Sequence, residues 1–297
     1  MSLSNFNTPS PISVDLDLYV ADVHVIASDR ADTIVEVRPR DPGKPADVKA
    51  AEENTSVAYN DATRRLSVVT RKPRSRFVNF SKRTESIDVV IHLPADSDVR
   101  GEADLGDYRA EGVLGIVSLR TGFGAIRVAE TGALNVHSGL GEITVDAASV
   151  SAEVHSSSGE IRIGTVDGTA DVSTSNGNIR IGVVTGTANV KVSNGSLAVD
   201  RALSDITAAN SNGEVRIGEV VRGKVDATSK NGRIDVGVRE GSAAFLELNT
   251  SVGRIYNELA SAEAPEAGEP VDRVEVHADT KLGDIVVRRT PRLEDAA

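Results

Sequence analysis

The sequence predicts an all-β fold: a parallel β-solenoid (β-helix) of about ten eighteen-residue coils, preceded by an irregular N-terminal β cap. Three observations predict it: a glycine recurring at near-constant spacing, aliphatic columns fixed relative to that glycine, and very few aromatic residues. The glycines stand at 106, 124, 141, 159, 177, 195, 213, 232, 253 and 283, at steps of 18, 17, 18, 18, 18, 18, 19, 21 and 30. A fixed period of this length marks a repeat architecture, in which each unit buries its face against its neighbours.

The columns follow from alignment on that glycine. Two residues after it stand Tyr108, Ile126, Ile143, Ile161, Ile179, Leu197, Val215, Ile234, Ile255 and Ile285. Four after it stand Ala110, Val128, Val145, Ile163, Ile181, Val199, Ile217, Val236, Asn257 and Val287. A second apolar pair lies five and seven residues before it, as in Ala170 with Val172 and Ala188 with Val190. Spacing of two within each pair is strand periodicity with one face buried. Each coil therefore offers two short strands separated by turns rich in Gly, Asn and Ser. The aromatic content is 3%, with no Trp, which suits a thin core of small aliphatic layers rather than a wide globular one.

The Asn-Gly pairs at 176–177, 194–195, 212–213 and 231–232 are also hairpin signals, which would give an antiparallel meander or propeller. Recurrence of one residue type in one column favours the parallel stack, where Asn side chains at the turns satisfy one another along the axis. That column is replaced by Leu105, Phe123 and Leu140 early and by Val252 and Leu282 late. Solenoid ends expose strand edges that must be covered or paired, so these replacements bear on function.

The first hundred residues are β-rich without the strict period, alternating at Ile12, Val14, Leu16 and Leu18 and again at Ile87, Val89 and Ile91. They are read as a capping region, residues 1–100, continuous with solenoid repeats over 101–290. An insertion occupies 260–270, and a frayed tail covers 291–297.

Composition closes off several classes of function. There is no Cys, hence no disulfide framework and no thiolate metal site. The opening MSLSNFNTPSPISVDLDL has neither a basic n-region nor an apolar h-region. No apolar run approaches the ~20 residues that span a bilayer, so a cytoplasmic protein without a transmembrane segment is expected. The net charge of −11 argues against general nucleic-acid binding. It is concentrated in the repeats: residues 1–100 hold 14 Lys/Arg against 15 Asp/Glu, a net of −1, and the rest 19 against 29, a net of −10.

Several features run in one order along almost the whole chain. Phe6-Asn7-Thr8-Pro9 precedes the strand-rich stretch Ile12–Ala27. Ile87-Asp88-Val89 then leads into Leu93-Pro94-Ala95-Asp96-Ser97. Repeated Ser-Gly-Glu-Ile and Asn-Gly-Glu-Val turns follow, and Gly283-Asp284-Ile285 comes near the end. In this order the chain resembles the bacterial "putative adhesin" family of β-strand repeats, a domain of unknown function. The resemblance implies a β-solenoid without known enzymatic activity.

Four constellations are candidates for chemistry. Arg109, Arg127, Arg162, Arg180 and Arg216 form a column three residues after the glycine, with acids two positions earlier at Glu142, Glu160 and Glu214. They read either as a strip for a repeating anionic polymer or as a solvated face where arginine stems cover apolar surface and pair with carboxylates. The segment Arg71–Arg83 has six Lys/Arg and no acid, with Phe77 and Phe80 beside Arg74 and Arg76. It suits a solvated loop, a protein or self contact, or a polyanion. His137 and His155 fall in one column, but the spacing forces no third ligand, so no metal is predicted. Thr121, Ser138, Ser156, Thr174, Ser229 and Thr250 form a hydroxyl column lacking a strict Thr-x-Thr repeat.

No P-loop, His-Glu-x-x-His or nucleophile elbow is present. The sequence thus predicts a non-enzymatic structural or interaction protein without catalytic residues or cofactor. It would be a rigid scaffold showing faces to an unidentified protein partner. The alternative is a self-assembling, cytoskeletal-type solenoid polymer; a polysaccharide-active or adhesive surface protein fits less well.

Overall fold

The computed structural model describes residues 2–71, 85–259 and 272–291. Two compact units divide the chain, Met1–Ala148 and Ser149–Ala297. The insertion expected at 260–270 and most of the tail lie outside the described residues.

In the first unit, Ser13–Ser28 makes a complete coil. Its first half pairs in parallel with Arg65–Thr70 on one side and Asp98–Leu105 on the other, with Val14 opposite Leu66 and Val99. Its second half pairs in parallel with Ile87–Pro94 and with the start of Tyr108–Phe123, with Val23 opposite Val89 and Tyr108. Val14, Leu16, Leu18, Ala21, Val23 and Val25 all point inward and are buried, as period-2 patterning requires. The repeating register thus begins within the first hundred residues, where the sequence shows alternation without the glycine period.

The cap around this coil is antiparallel. Asp32–Pro39 lies on Ile87–Pro94, Ser2–Asn7 on Asp32–Pro39, and Thr55–Asn60 on Arg65–Thr70. Phe6 and Tyr59, on the two outermost strands, meet with ring centroids 5.3 Å apart and planes tilted by 38°. That aromatic contact closes the end of a core otherwise built from small aliphatics.

A helical turn, Pro45–Lys49, followed by a π turn, Ala50–Asn54, connects the cap strands and buries Ala50, Ala51 and Asp47. The buried Asp47 carboxylate accepts hydrogen bonds from the Ser86 amide at 3.0 Å and the Ser86 hydroxyl at 3.1 Å, and pairs with Lys44 Nζ at 3.0 Å. Burial alone would raise its pKa, but Lys44 and Ser86 together outweigh that and hold the carboxyl below its usual range.

Tyr108–Phe123 and Ile126–Leu140 then stack residue on residue, with a bulge between Ala110 and Val113. Tyr108 takes the core position that later coils fill with Ile, Leu or Val, and Gly101 makes room for it. A Cβ on Gly101 would lie 2.9 Å from the Tyr108 ring. The Tyr108 hydroxyl is buried without a hydrogen-bond partner among the described residues, and burial raises its pKa, helped by the charges of Glu102 and Asp17.

The second unit is a run of parallel rungs, and the antiparallel alternative is not what the chain adopts. One sheet stacks the end of Ile143–Ser158, then Thr169–Asn176, Ala188–Asn194, Ile206–Asn212 and Gly223–Asn231. The other stacks Ile161–Val166, Ile179–Val184, Leu197–Ala202, Val215–Val220 and Ile234–Arg239. The expected inward columns are buried: Ile161, Ile179, Leu197, Val215 and Ile234 are each at most 1% exposed. The expected asparagine ladder also forms. The amide nitrogens of Asn194, Asn212 and Asn231 donate to the side-chain oxygens of Asn176, Asn194 and Asn212 at 3.0, 2.9 and 2.8 Å.

The turn glycines are set by close approach. Gly177 has φ of 139°, and a Cβ there would lie 2.0 Å from the Gly159 carbonyl oxygen one rung away. The hydroxyl column belongs to the same turns rather than to a surface. Thr121, Ser138, Ser156, Thr174 and Ser229 are buried, and Ser229 and Thr250 donate to the carbonyls of Gly213 and Gly283.

One departure from sequence order stands out in the second unit. Arg273–Leu282 pairs directly on Gly223–Asn231, and Ile285–Thr290 on Ile234–Arg239. Ala243–Val252 and Ile255–Asn257 then pair on the far side of those strands. The last coil in sequence is therefore the penultimate rung in space. Its inward residues Val274, Val276, Ala278, Ile285 and Val287 are all fully apolar and buried. The coil left outside carries Asn257 at a core column, its side-chain oxygen accepting a hydrogen bond from the Leu259 amide at 3.0 Å.

Candidate interaction faces

The arginine column is split by the fold into short runs. In the first unit His24, Arg109 and Arg127 occupy successive rungs. Arg109 Nε donates to Glu111 at 2.6 Å, and His24 Nε2 lies 3.1 Å from the same carboxylate. Arg109, with His24 adding to it, holds the Glu111 carboxyl below its usual range. In the second unit Arg162 and Arg180 are neighbours, Ala198 interrupts, and Arg216 follows beside Asp235. Arg162 pairs with Glu160 at 2.6 Å and Arg180 with Asp200 at 3.0 Å. Side chains this exposed gain little from such pairs, and Ala198 breaks the line of cations in the second unit. Arg74, Arg76, Phe77 and Phe80 lie outside the described residues.

The two histidines of the shared column each engage side chains close by. His137, in the first unit, has Nδ1 3.1 Å from the Asn135 side-chain oxygen. His155, in the second, has Nδ1 2.7 Å from Ser173 Oγ and Nε2 3.3 Å from Glu153.

The opposite sheet of the second unit carries a surface the sequence reading passed over. Its outward residues fall in straight columns of small polar side chains. Ser175, Ser193 and Ser211 occupy equivalent places on successive rungs, and Lys230 and Lys281 continue the line. A parallel column runs Glu153, Asp171, Asn189, Thr207 and Asp226. Two shallow depressions lie over these columns. One of about 600 Å³ is lined by Glu153, Asp171, Asn189 and Asp205, and one of about 540 Å³ by Ser175, Lys191, Ser193 and Lys230. Attention to the inward columns hid this face. Its residues alternate with the core positions, so reading the same register one residue along would have found it.

A buried charge cluster lies on the other sheet. Glu219 is 3% exposed, with Arg201 Nε at 3.7 Å and Arg239 Nε at 3.4 Å on the flanking rungs. Arg239 is itself anchored, because Arg289 donates to the carbonyls of Arg239 and Ser242 at 3.0 and 2.8 Å. Asp235, on the adjoining strand, accepts from Arg288 Nε at 3.0 Å and Arg233 at 3.3 Å. Glu219 and Asp235 are thus each held by two arginines. No helix among the described residues is long and apolar enough to cross a membrane.

Several solved structures align with this chain at low identity. A putative cell adhesion protein of Clostridium sporogenes ATCC 15579 is 10% identical, with 97% of this chain and 99% of that chain covered and a TM-score of 0.25. A putative adhesin of Bacteroides fragilis NCTC 9343 is 12% identical, with 96% of each chain covered and a TM-score of 0.39. One from Parabacteroides merdae ATCC 43184 is 11% identical, with 97% and 95% covered and a TM-score of 0.35. Overlap at this level carries no functional argument. No curated protein matches the chain. The family match is extensive: the profile of the Toastrack DUF4097 family aligns with residues 12–288, and the chain belongs to that family.

Proposed function

We propose that this protein is a non-enzymatic interaction scaffold whose solenoid rungs present a rigid polar face to a protein partner. The observation that carries the proposal is the outward face of the Thr169–Asn231 sheet. There Ser, Thr, Asn, Asp and Lys side chains repeat rung by rung in unbroken register over two shallow depressions. Short side chains lose little rotamer entropy when a partner orders them, and a hydrogen-bonded ladder beneath keeps them in place. Such a face offers many modest hydrogen bonds to an extended or flat protein surface and no deep pocket for a small molecule. The arginine runs, Arg109 and Arg127 in the first unit and Arg162, Arg180 and Arg216 in the second, offer each unit a further polar contact surface. A cytoplasmic setting belongs to this proposal and is tested by fractionating the cells that make the protein.

The experiment is site-specific photo-crosslinking in those cells, with the probe placed at Ser193, at Ser211 and, for comparison, at Arg180. Recovery of one recurrent protein from both serine positions supports the reading and identifies the partner. Equal recovery from all three positions, or none from the serine face, refutes it. So would turnover in a hydrolase or lyase screen that Glu153→Gln or Asp171→Asn abolishes.

A second reading, self-association, is favoured by one specific observation. The outermost coil of the second unit, Ala243–Asn257, has strands paired on one side only among the described residues.

A further inference from the structure

We infer that the outermost coil of the second unit is an interface for a second copy of this chain, joined through a two-fold axis that pairs the coil with itself. The inference starts from how little protects this edge among the described residues. Natural sheets blunt free edges with charge, proline or a covering element. Ile255–Asn257 carries no charge, and Ala243–Val252 carries only Glu247, already paired with His277 at 3.2 Å. Phe245, Val252, Ile255 and Tyr256 are exposed large hydrophobics on this one coil, at 64, 63, 44 and 40%. Its inward residues Ala244, Leu246 and Leu248 are only half-buried, whereas the equivalent residues one rung in, Val274, Val276 and Ala278, are at most 2% exposed.

What fits that edge is constrained by the columns beneath it. The next layer must bring apolar side chains at two-residue spacing on two strands, over the same narrow cross-section. A second copy of the same coil meets both requirements. The far end of the repeat register does not. In the first unit the outermost strands Ser2–Asn7 and Thr55–Asn60 run in opposite senses relative to the coil direction, and the Phe6–Tyr59 contact closes them. A coil edge, whose strands both follow the coil, would be parallel to one of these and antiparallel to the other. Self-pairing about a two-fold makes both ladders antiparallel and closes the assembly at two.

Backbone direction and charge select the register on the shorter strand. Ile285 donates its amide to the Arg254 carbonyl, and Glu258 donates its amide to the Val287 carbonyl. Alternation along the strand then turns the amides and carbonyls of Ile255 and Asn257 outward, unpaired. With the axis at Tyr256, Ile255 of each copy faces Asn257 of the other and both pairs exchange hydrogen bonds. Counting outward, Arg254 of each copy falls opposite Glu258 of the other, giving two cross-copy ion pairs. Both residues are exposed in the single chain.

The test is sedimentation equilibrium of the full chain over a wide concentration range, with the Arg254→Glu variant and the Arg254→Glu/Glu258→Arg double variant alongside. Thermal melts of all three check folding. The expected result is a reversible shift from the 31.2 kDa chain mass to twice that mass. The dissociation constant should be on the order of micromolar, as suits an interface one coil wide. Arg254→Glu, which sets two acids opposite two acids, should weaken it at least tenfold, and the double exchange should restore it. A wild type that stays at the single-chain mass overturns the inference. So do open-ended filaments, which would require the other end, and so does dimerisation indifferent to the single change, which would rule out this register.

Discussion

Removing the buried carboxylate of Glu219 tests whether the outer sheet of the second unit is held by its charge cluster. Glu219 is 3% exposed, and the Arg201 and Arg239 side chains beside it are 19 and 13% exposed. At an effective dielectric of about 20, two unit charges at these separations attract by roughly 4–5 kcal/mol per pair. The cost of taking three ions out of water offsets most of that, at several kcal/mol per ion. The net value of the cluster is therefore small, while the cost of leaving it incomplete is large. Glu219→Ala leaves two guanidinium groups facing each other across a dry gap, with an expected loss of about 3–5 kcal/mol.

For a unit of this size each kcal/mol moves the midpoint by about 2–4 °C, so the unit should melt roughly 6–20 °C lower. Differential scanning calorimetry at neutral pH measures this directly. The triple change Arg201→Leu, Glu219→Leu and Arg239→Leu removes every charge while keeping apolar bulk, and should recover most of the loss. A Glu219→Ala midpoint within about 2 °C of wild type, against the expected several-degree drop, would show that Glu219 is not the charge on which the arginines depend. A triple variant no better than the single one would show that packing rather than charge had been lost.

Other consequences follow from the same ladders. Ile179→Asp puts a carboxylate into a site 1% exposed and should cost several kcal/mol in urea unfolding; parental stability would mean the inward column is misassigned. Gly177→Ala forces a methyl to within 2.0 Å of the Gly159 oxygen at a φ of 139°, so about 2 kcal/mol or more of loss is expected in the same assay. Tyr108→Phe removes a buried hydroxyl that has no partner among the described residues, and should be neutral or stabilising by about 1 kcal/mol. The Asp47 carboxyl titrates below its unfolded value, so its contribution is complete above about pH 4 and fades as pH falls through the lowered native value. The stability gap between wild type and Asp47→Asn should accordingly shrink in acid, and a gap that is constant with pH would contradict the Lys44–Ser86 arrangement.

The repeat was legible because each rung repeats the same physical problem. Ile161, Ile179 and Leu197 had to be equivalent once their glycines were aligned, and the asparagine ladder followed from Asn176, Asn194 and Asn212 sharing a turn. What could not be read is where the chain departs from counting. Nothing local to Arg273–Thr290 says that it pairs on Gly223–Arg239 rather than on the coil just before it. The one signal was Asn257 in an otherwise aliphatic column. In the first unit, Ser13–Ser28 lacks the turn glycine, so its membership in the stack shows only in its pairing with Val99 and Val89. The polar face was invisible for a different reason: outward residues are free to vary, and only register makes Ser175, Ser193 and Ser211 a line.

A stack of this kind has interior layers that are nearly self-sufficient and end layers that are not. Each interior rung satisfies its backbone against two neighbours and buries its aliphatic columns completely, so added length changes the face on offer more than the stability of any one layer. The ends carry the specificity. At the first unit's end the chain spends three antiparallel-paired strands, a helical turn and an aromatic pair on closure. At the second unit's outer coil it places the weakest rung, with Asn257, Phe245 and Tyr256 turned to solvent. A chain selected only for monomeric stability would put the Arg273–Thr290 coil, with its buried aliphatic columns, outermost under a cap, or dispense with the crossover that inserts it. Inserting the better rung and exposing the sparsely charged, half-buried one is a topology that makes physical sense when another protein surface completes it.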